Sequence, residues 1–94
     1  MMKKRILHLN LKGIYFHQIK SGEKIHEYRL MTERWKKRIV NREYDEIHIK
    51  WGYPKSDDKE RILVRPWKGY ESFFGFTHPH FGDHAVDVFG IVVN

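Results

Sequence analysis

The fold of this chain is decided by the stretch SGEKIHEYRL, residues 21–30. Gly22 can adopt the left-handed conformation that closes a helix, and apolar residues at positions 15, 16 and 19 precede it at helical spacing. They predict a helix of about two turns. Side chains then alternate in character from residue 24 to residue 30, which predicts a strand whose polar face carries Glu27 and Arg29.

Four further segments have the patterns of strands. Apolar and polar residues alternate over residues 5–12, 46–51 and 61–65, so each predicts a strand with one buried face. The nearly continuous apolar run 85–93 is typical of a strand covered on both faces. Residues 66–84 are rich in glycine, aromatic residues and histidine and are too irregular to assign, so we expect a long functional loop there.

A second helix is predicted after Thr32, which is a favourable N-cap residue. Trp35, Ile39 and Val40 form its apolar stripe. The rest of its surface carries the densest run of positive charge in the sequence, which is typical of a surface that contacts backbone phosphates without sequence specificity. These cations are Arg34, Lys36, Lys37 and Arg38.

The chain is 94 residues long, so one compact domain spanning residues 1–94 is expected. Five strands and two short helices predict an α+β fold, either a small barrel or a strongly curved sheet. No apolar run approaches the length that crosses a membrane, and we expect no membrane partner. The absence of cysteine excludes disulfides, thiolate zinc sites and cysteine nucleophiles, and it favours a cytoplasmic location.

The charge of the chain indicates a polyanionic partner. Eighteen Lys and Arg residues against twelve Asp and Glu residues give a net charge of +6. Such a field attracts nucleic acid, although net charge by itself serves solubility and reports no specificity. We therefore predict a nucleic acid or a nucleotide as the partner.

The run from Ser21 to Arg29 follows a short amphipathic helix and leads into a polar-faced strand, and it resembles the signature of ASCH domains in the PUA-like superfamily. The resemblance implies a small PUA-like β-barrel and RNA binding, with some members acting as ribonucleases or as amidohydrolases on acetylated cytidine. Lys24 matches the family lysine and Arg29 the cleft arginine. Glu27 stands where amidohydrolase-type members have threonine, and no flanking motif identifies Glu71 with the family's downstream glutamate. Because glutamate lacks the threonine hydroxyl, RNA binding is favoured over amide hydrolysis.

The predicted site is a cleft lined by Lys24, Glu27 and Arg29. Arg29 suits a bidentate grip on phosphate, and Lys24 supplies a mobile charge or a proton. Glu27 orients one of them or acts as a general base. The alternative is an exposed ion pair that contributes little to stability and has no role in binding. If the protein is an enzyme, Lys24 and Glu27 are the candidate catalytic residues of a hydrolase that acts on a modified nucleoside or cleaves RNA.

Aromatic side chains are candidates for stacking on an unpaired base. The sequence has three Trp, five Tyr and six Phe residues, most of which must fill the interior of so small a domain. Trp51 and Tyr53, at a strand end beside a turn, and Trp67 are the best candidates to face a ligand. An alternative of another class is an interaction protein whose aromatic C-terminal half docks a protein partner.

Histidine is concentrated near the end of the sequence, at His78, His80 and His84, where a metal site can be considered. Pro79 is expected to hold the backbone extended and to point His78 and His80 to opposite sides. We therefore predict no metal site and no cofactor. The role of this loop stays open, and a histidine there is a candidate for phosphodiester cleavage if the protein is a nuclease.

Overall fold

The computed structural model describes residues 3–94. The elements in chain order are β1 (Ile6–Leu11), α1 (Gly13–Lys20), β2 (His26–Leu30), α2 (Glu33–Ile39), β3 (Glu46–Trp51), β4 (Ile62–Pro66), β5 (Tyr70–Phe76) and β6 (Val86–Val92). Single-turn 3-10 helices, Lys59–Arg61 and Pro79–Phe81, lie before β4 and after β5. The predicted α+β class and both predicted helices are confirmed. None of the helices in this part of the chain is long and apolar enough to cross a bilayer.

The strands form two three-stranded sheets. The first sheet has the order β1-β3-β4, with β1 parallel to β3 and β3 antiparallel to β4. The second sheet has the order β2-β6-β5 and is antiparallel throughout. Over residues 3–94 these pairings do not close into a barrel, so the predicted barrel is not confirmed.

One hydrophobic core joins both sheets and both helices. The alternation in β1 and β3 turns their apolar side chains to the same side, and Leu7 pairs with Ile47 and Leu9 with Ile49 in the parallel register. Burial of each side chain of this size stabilises the fold by about 1.5–3 kcal/mol. The core consists of Leu7, Leu9, Leu11, Phe16, Ile19, Ile39, Ile47, Ile49, Phe89, Ile91 and Val93.

The irregular segment 66–84 contains a strand that the sequence pattern did not reveal. Here β5 pairs with β6, which brings the number of strands within residues 3–94 to six rather than the predicted five. The pairing register shifts between Phe73 and Phe76, and most of the strand is exposed or half-buried. An irregular edge strand has no clean alternation of apolar and polar residues, which is why this one escaped prediction.

The last strand, β6, is the centre of the second sheet, and its four consecutive residues 88–91 are buried. The core covers one face. Aromatic rings cross the other face at Gly90, where an added Cβ would lie 2.5 Å from Phe73 Cε2 and 3.2 Å from His26 Cδ2. Only glycine leaves room for these rings. The prediction of a strand covered on both faces is confirmed.

Candidate functional site

A cleft of about 200 Å³ opens where the C-terminal end of β1 approaches β2. Three predicted site residues, Lys24, Glu27 and Arg29, lie together in its wall. The other lining residues come from the end of β1 and the residue after it, from α1, from β2, and from the Pro79–Phe81 turn and the residue before it. They are Asn10, Leu11, Lys12, Tyr15, Tyr28, His78, His80 and Phe81.

Glu27 is the buried centre of the site, with 6% of its surface exposed. Its place in β2, paired with Ile91 of β6, turns the carboxylate inward. Lys24 Nζ donates to Oε1 at 2.8 Å, and Arg29 Nη2 donates to Oε2 at 3.0 Å. Charge-assisted hydrogen bonds of this kind are about twice as strong as neutral ones. The carboxylate therefore holds two cations at the cleft.

Arg29 connects the two sheets. Its Nη2 also donates to the Asn10 carbonyl oxygen of β1 at 3.1 Å, and its guanidinium carbon lies 5.1 Å from the centre of the Trp35 ring. Burial lowers the pKa of Arg29, and the Glu27 carboxylate opposes that shift. Arg29 Nε is buried and has no hydrogen-bond partner within residues 3–94. The guanidinium is thus fixed in place while one donor remains unsatisfied.

The backbone of Lys24 is held by α1 and by the side chain of Asn94. Gly22, with φ of +84°, ends α1 as predicted, and Lys24 N donates to the Gln18 carbonyl at 3.0 Å. The Asn94 side-chain amide donates to the Lys24 carbonyl at 2.7 Å. As a result β2 begins at His26, and Lys24 lies in the turn before the strand rather than at its predicted start.

The ammonium group of Lys24 is enclosed by rings as well as by the carboxylate. Its Nζ lies 4.4 Å from the centre of the Tyr15 ring and 5.5 Å from that of Tyr28. Burial, with Glu71 and Glu27 as the nearby negative charges, raises the pKa of Tyr28. The Tyr28 hydroxyl is therefore protonated at neutral pH and can donate a hydrogen bond.

The prediction that His78 and His80 point to opposite sides is wrong. Pro79 begins a 3-10 turn instead of extending the chain, and His80 N donates to His78 Nδ1 at 3.1 Å. Both rings line the cleft, with His80 5.3 Å from Tyr15, whereas His84 is exposed and outside the lining. Among residues 3–94, no three His, Asp or Glu side chains are grouped closely enough to hold a metal ion.

The local charges act on His80. Burial is the largest cause and lowers the pKa of His80. The positive charge of Lys12 lowers this pKa further, whereas the Glu27 carboxylate opposes the shift. Lowering the pKa below 6.5 keeps the ring neutral at physiological pH, with one nitrogen as donor and the other as acceptor. The cleft therefore offers a neutral ring beside its cations.

The cations of α2 do not form the single surface that was predicted. Arg38 is half-buried, because it donates to the His8 carbonyl at 3.1 Å and stacks 4.3 Å from the centre of the Trp35 ring. Lys36 is exposed, and its Nζ lies 3.5 Å from Glu33 Oε1. It is also about 200° around the helix from Arg34, so the two cations face different directions. Lys37 is exposed. Of the four, Arg34 lines a groove beside the cleft.

Two of the three predicted stacking residues pack against neighbouring side chains, and one of them, Trp51, also lines a groove beside the cleft together with Tyr53. The Trp51 ring lies 4.9 Å from His17 of α1 and 4.4 Å from the Arg61 guanidinium carbon. Trp67 lies 5.2 Å from Tyr44, near the first residue of β3, so it is at the opposite end of the first sheet from the cleft. Tyr53 is 93% exposed and remains available to a ligand.

Several wall residues were not predicted. Tyr15 was assigned to the apolar side of α1, and the alternation placed Tyr28 on the face of β2 away from Glu27. In the structure, Tyr15, Tyr28, His80 and Phe81 all line the cleft. In the sequence, the only indication of this wall was the concentration of histidine around Pro79. The tertiary fold is needed to show which aromatic rings those histidines contact.

Comparison with protein-family models, with curated proteins and with solved structures finds no match for this chain. The likeness to ASCH domains therefore remains a resemblance carried by residues 21–29. We infer function from the cleft and from the surface around it.

Proposed function

We propose that the protein binds single-stranded RNA, as a module similar to the PUA-like ASCH domains, with one base in the cleft. The observation that carries the proposal is the convergence of Lys24, Glu27 and Arg29 at a cleft walled by aromatic and histidine rings. Flat rings suit the face of a base, and fixed polar groups suit its edge.

The size and polarity of the cleft favour a single base. Its volume of about 200 Å³ is below the about 300–1,000 Å³ of sites for drug-sized ligands, so a planar ring fits better than a whole nucleotide. Lys24, Arg29 and the Tyr28 hydroxyl offer donors, and Glu27 offers acceptor oxygens. A base edge presents both kinds of group and can satisfy both.

The charge outside the cleft suits the rest of an RNA strand. Lys12 and Arg34 are exposed at its two sides, and the whole chain carries a net charge of +6. Binding that neutralises phosphates releases counterions and weakens as salt is added. We therefore expect affinity to fall steeply with ionic strength.

The same proposal takes the two sheets as counterparts of the PUA-like barrel. One support is the order of elements along the chain, which is strand, helix, strand, helix and then strands. The other is the hydrogen bond from Arg29 to the Asn10 carbonyl, which joins the two sheets. A cytoplasmic location is part of the proposal and rests on the absence of cysteine.

Fluorescence anisotropy with labelled single-stranded RNA at low salt tests the proposal. We expect wild-type binding that weakens with salt and that the double variant Lys24→Ala, Arg29→Ala loses. The double variant Lys20→Ala, Lys68→Ala removes two exposed charges outside the cleft and serves as the matched control. Circular dichroism verifies that each variant is folded.

A measurement on the wild type covers the case in which the cleft variant fails to fold. Added RNA should shift the NMR signals of Tyr15, Tyr28 and His80 before those of the β4 residues. Absence of binding at low salt, or shifts confined to other surfaces, would contradict the proposal.

A second candidate, hydrolysis of N4-acetylcytidine, is favoured by one observation, the 2.8 Å contact between Lys24 and Glu27 within the cleft. Water would add to the acetyl carbonyl, with Glu27 taking its proton and Lys24 donating a hydrogen bond to the oxyanion. Glu27 would then pass that proton to N4 as the amide C–N bond breaks, which gives cytidine and acetic acid, and the acid ionises to acetate. Chromatography detects the cytidine, and gels of the RNA-binding reactions detect strand cleavage. Protein that releases no cytidine is not this hydrolase, and protein that leaves the RNA strand intact is not a ribonuclease.

A further inference from the structure

Besides a groove that runs toward Gln18 and Glu23, two shallow grooves adjoin the cleft and leave it by different walls. The first shares Asn10, Leu11 and Lys12 with the cleft and runs to the turn that carries Tyr53. The second shares the Tyr28, Arg29, His80 and Phe81 wall and runs to the start of α2. The cleft is therefore the middle of a longer depression.

The first groove ends at a firmly held turn. Asn10 Nδ2 donates to the Gly52 carbonyl at 2.7 Å, and Gly52 N donates to the Leu11 carbonyl at 2.9 Å. Because Trp51 packs against α1, the turn after it is fixed, and Tyr53 is the residue it presents to solvent. An exposed aromatic ring on a rigid support is a stacking platform that accepts any base.

The second groove ends at a free cation. The Thr32 side chain accepts a hydrogen bond from Trp35 N at 3.2 Å, which caps α2. The guanidinium groups of Arg29 and Arg38 lie over the Trp35 ring at 5.1 Å and 4.3 Å. Arg34 is exposed in the same groove and has no ion-pair partner within residues 3–94. Its guanidinium is free to bind a phosphate.

We propose that a single strand of at least three nucleotides crosses this surface, with one base stacked on Tyr53, a second in the cleft and a phosphate of the third bound by Arg34. The inference rests on the proposed function and deepens it, since it names an extended strand as the ligand in place of a free nucleoside. A duplex does not fit, because the base in the cleft must be unpaired.

Binding measured against strand length tests this path. The probes are fluorescein-labelled mononucleotides, trinucleotides and hexanucleotides of random sequence. Affinity should rise at least tenfold from one nucleotide to three and much less from three to six, because the third nucleotide completes the path.

Variants at the two ends separate their contributions. Tyr53→Ala should weaken trinucleotide binding about tenfold and leave mononucleotide binding unchanged, whereas Tyr53→Phe retains the affinity because stacking needs only the ring. Arg34→Ala should reduce the slope of log affinity against log salt by about 0.7, the value for one phosphate of a single strand. Lys36→Ala is the matched control, on the other side of the same helix.

The outcomes distinguish the two proposals. Equal affinity for one and three nucleotides, or no effect of Tyr53→Ala and Arg34→Ala, would overturn the strand path while leaving the cleft as a base site. Absence of binding to all three probes at low salt would overturn the proposed function itself.

Discussion

At the scale of single residues, Glu27 places a carboxylate where one is costly. Removal of its charge from water is offset only by its contacts with Lys24 and Arg29, and buried ion pairs of this kind contribute little net stability. The arrangement is better explained as a means of fixing two cations at the cleft. Those cations lose their partner if the carboxylate is removed.

We predict that Glu27→Gln lowers the free energy of unfolding by about 3 kcal/mol, because breaking a buried pair leaves uncompensated charge. Urea denaturation measures the change. Glu33→Gln is the matched control, since its side chain is 84% exposed in a pair with Lys36 and should cost less than about 1 kcal/mol. Similar losses for both variants would show that Glu27 is not an energetically special carboxylate.

The sequence predicted part of this site. Glu27 and Arg29 share a strand face because strand side chains alternate, and that relation needs only local geometry. The contact of Lys24 with Glu27 depends on a turn held by Asn94, and the approach of His80 depends on how a distant loop packs. Contacts of that kind leave no local pattern in the sequence.

At the scale of elements, one wall of the cleft depends on the contact between α1 and β3. Gly13, the first residue of α1, lies so close to Trp51 that an added Cβ would be 2.8 Å from the indole Nε1. The indole is held between His17 and Arg61 and has little room to move. The close approach sets where α1 begins, and hence where Lys12 and Tyr15 lie.

We predict that Gly13→Ala destabilises the fold by up to about 2 kcal/mol, because an overpacking cost of about 1–3 kcal/mol outweighs the gain of about 1 kcal/mol in helix propensity. Denaturation followed by tryptophan fluorescence measures it. In a Trp51→Phe background, followed by circular dichroism, the same substitution should cost less because the smaller ring relieves the clash. Stabilisation by Gly13→Ala in the wild type would disprove the prediction.

Elements with clear periodicity were predictable and the irregular one was not. Leucines and isoleucines repeat cleanly in β1 and β3, where one face meets the core. In β5 the register shift and the exposure of Phe74 remove that repetition, so its strand character comes from pairing with β6. Tertiary pairing here overrides local pattern.

At the scale of the whole molecule, two histidines on different surfaces have pKa values that are shifted in the same direction. Burial lowers the pKa of His8 and of His80 from 6.5, and the nearby cations Lys50 and Lys12 act in the same direction. The unfolded chain therefore binds protons at a higher pH than the folded one. Above about pH 6.5 both rings are neutral and do not disfavour folding. As the pH falls below this value, protonation of the two rings favours the unfolded chain and stability is lost.

We predict that the free energy of unfolding decreases as the pH is lowered from 7.5 to 5, and that the double variant His8→Gln, His80→Gln loses less over that range. Urea denaturation at fixed ionic strength measures both proteins. An equal loss in the variant would show that other groups cause the pH dependence.

Whole-molecule architecture was the least predictable property. The α+β class followed from counting periodic segments, but the division into two sheets follows from which strands pair. The parallel pairing of β1 with β3 spans α1, β2 and α2, and no local sequence signal reports it.

The order β2-β6-β5 also has a consequence for how the molecule is made. β6 lies between β2 and β5 and follows both of them in the sequence, so within residues 3–94 these two strands have no paired neighbour until residues 86–92 have left the ribosome. Pairing between such distant segments forms slowly during folding. We therefore expect the cleft wall formed by β2 to become ordered only after β6 has been synthesised.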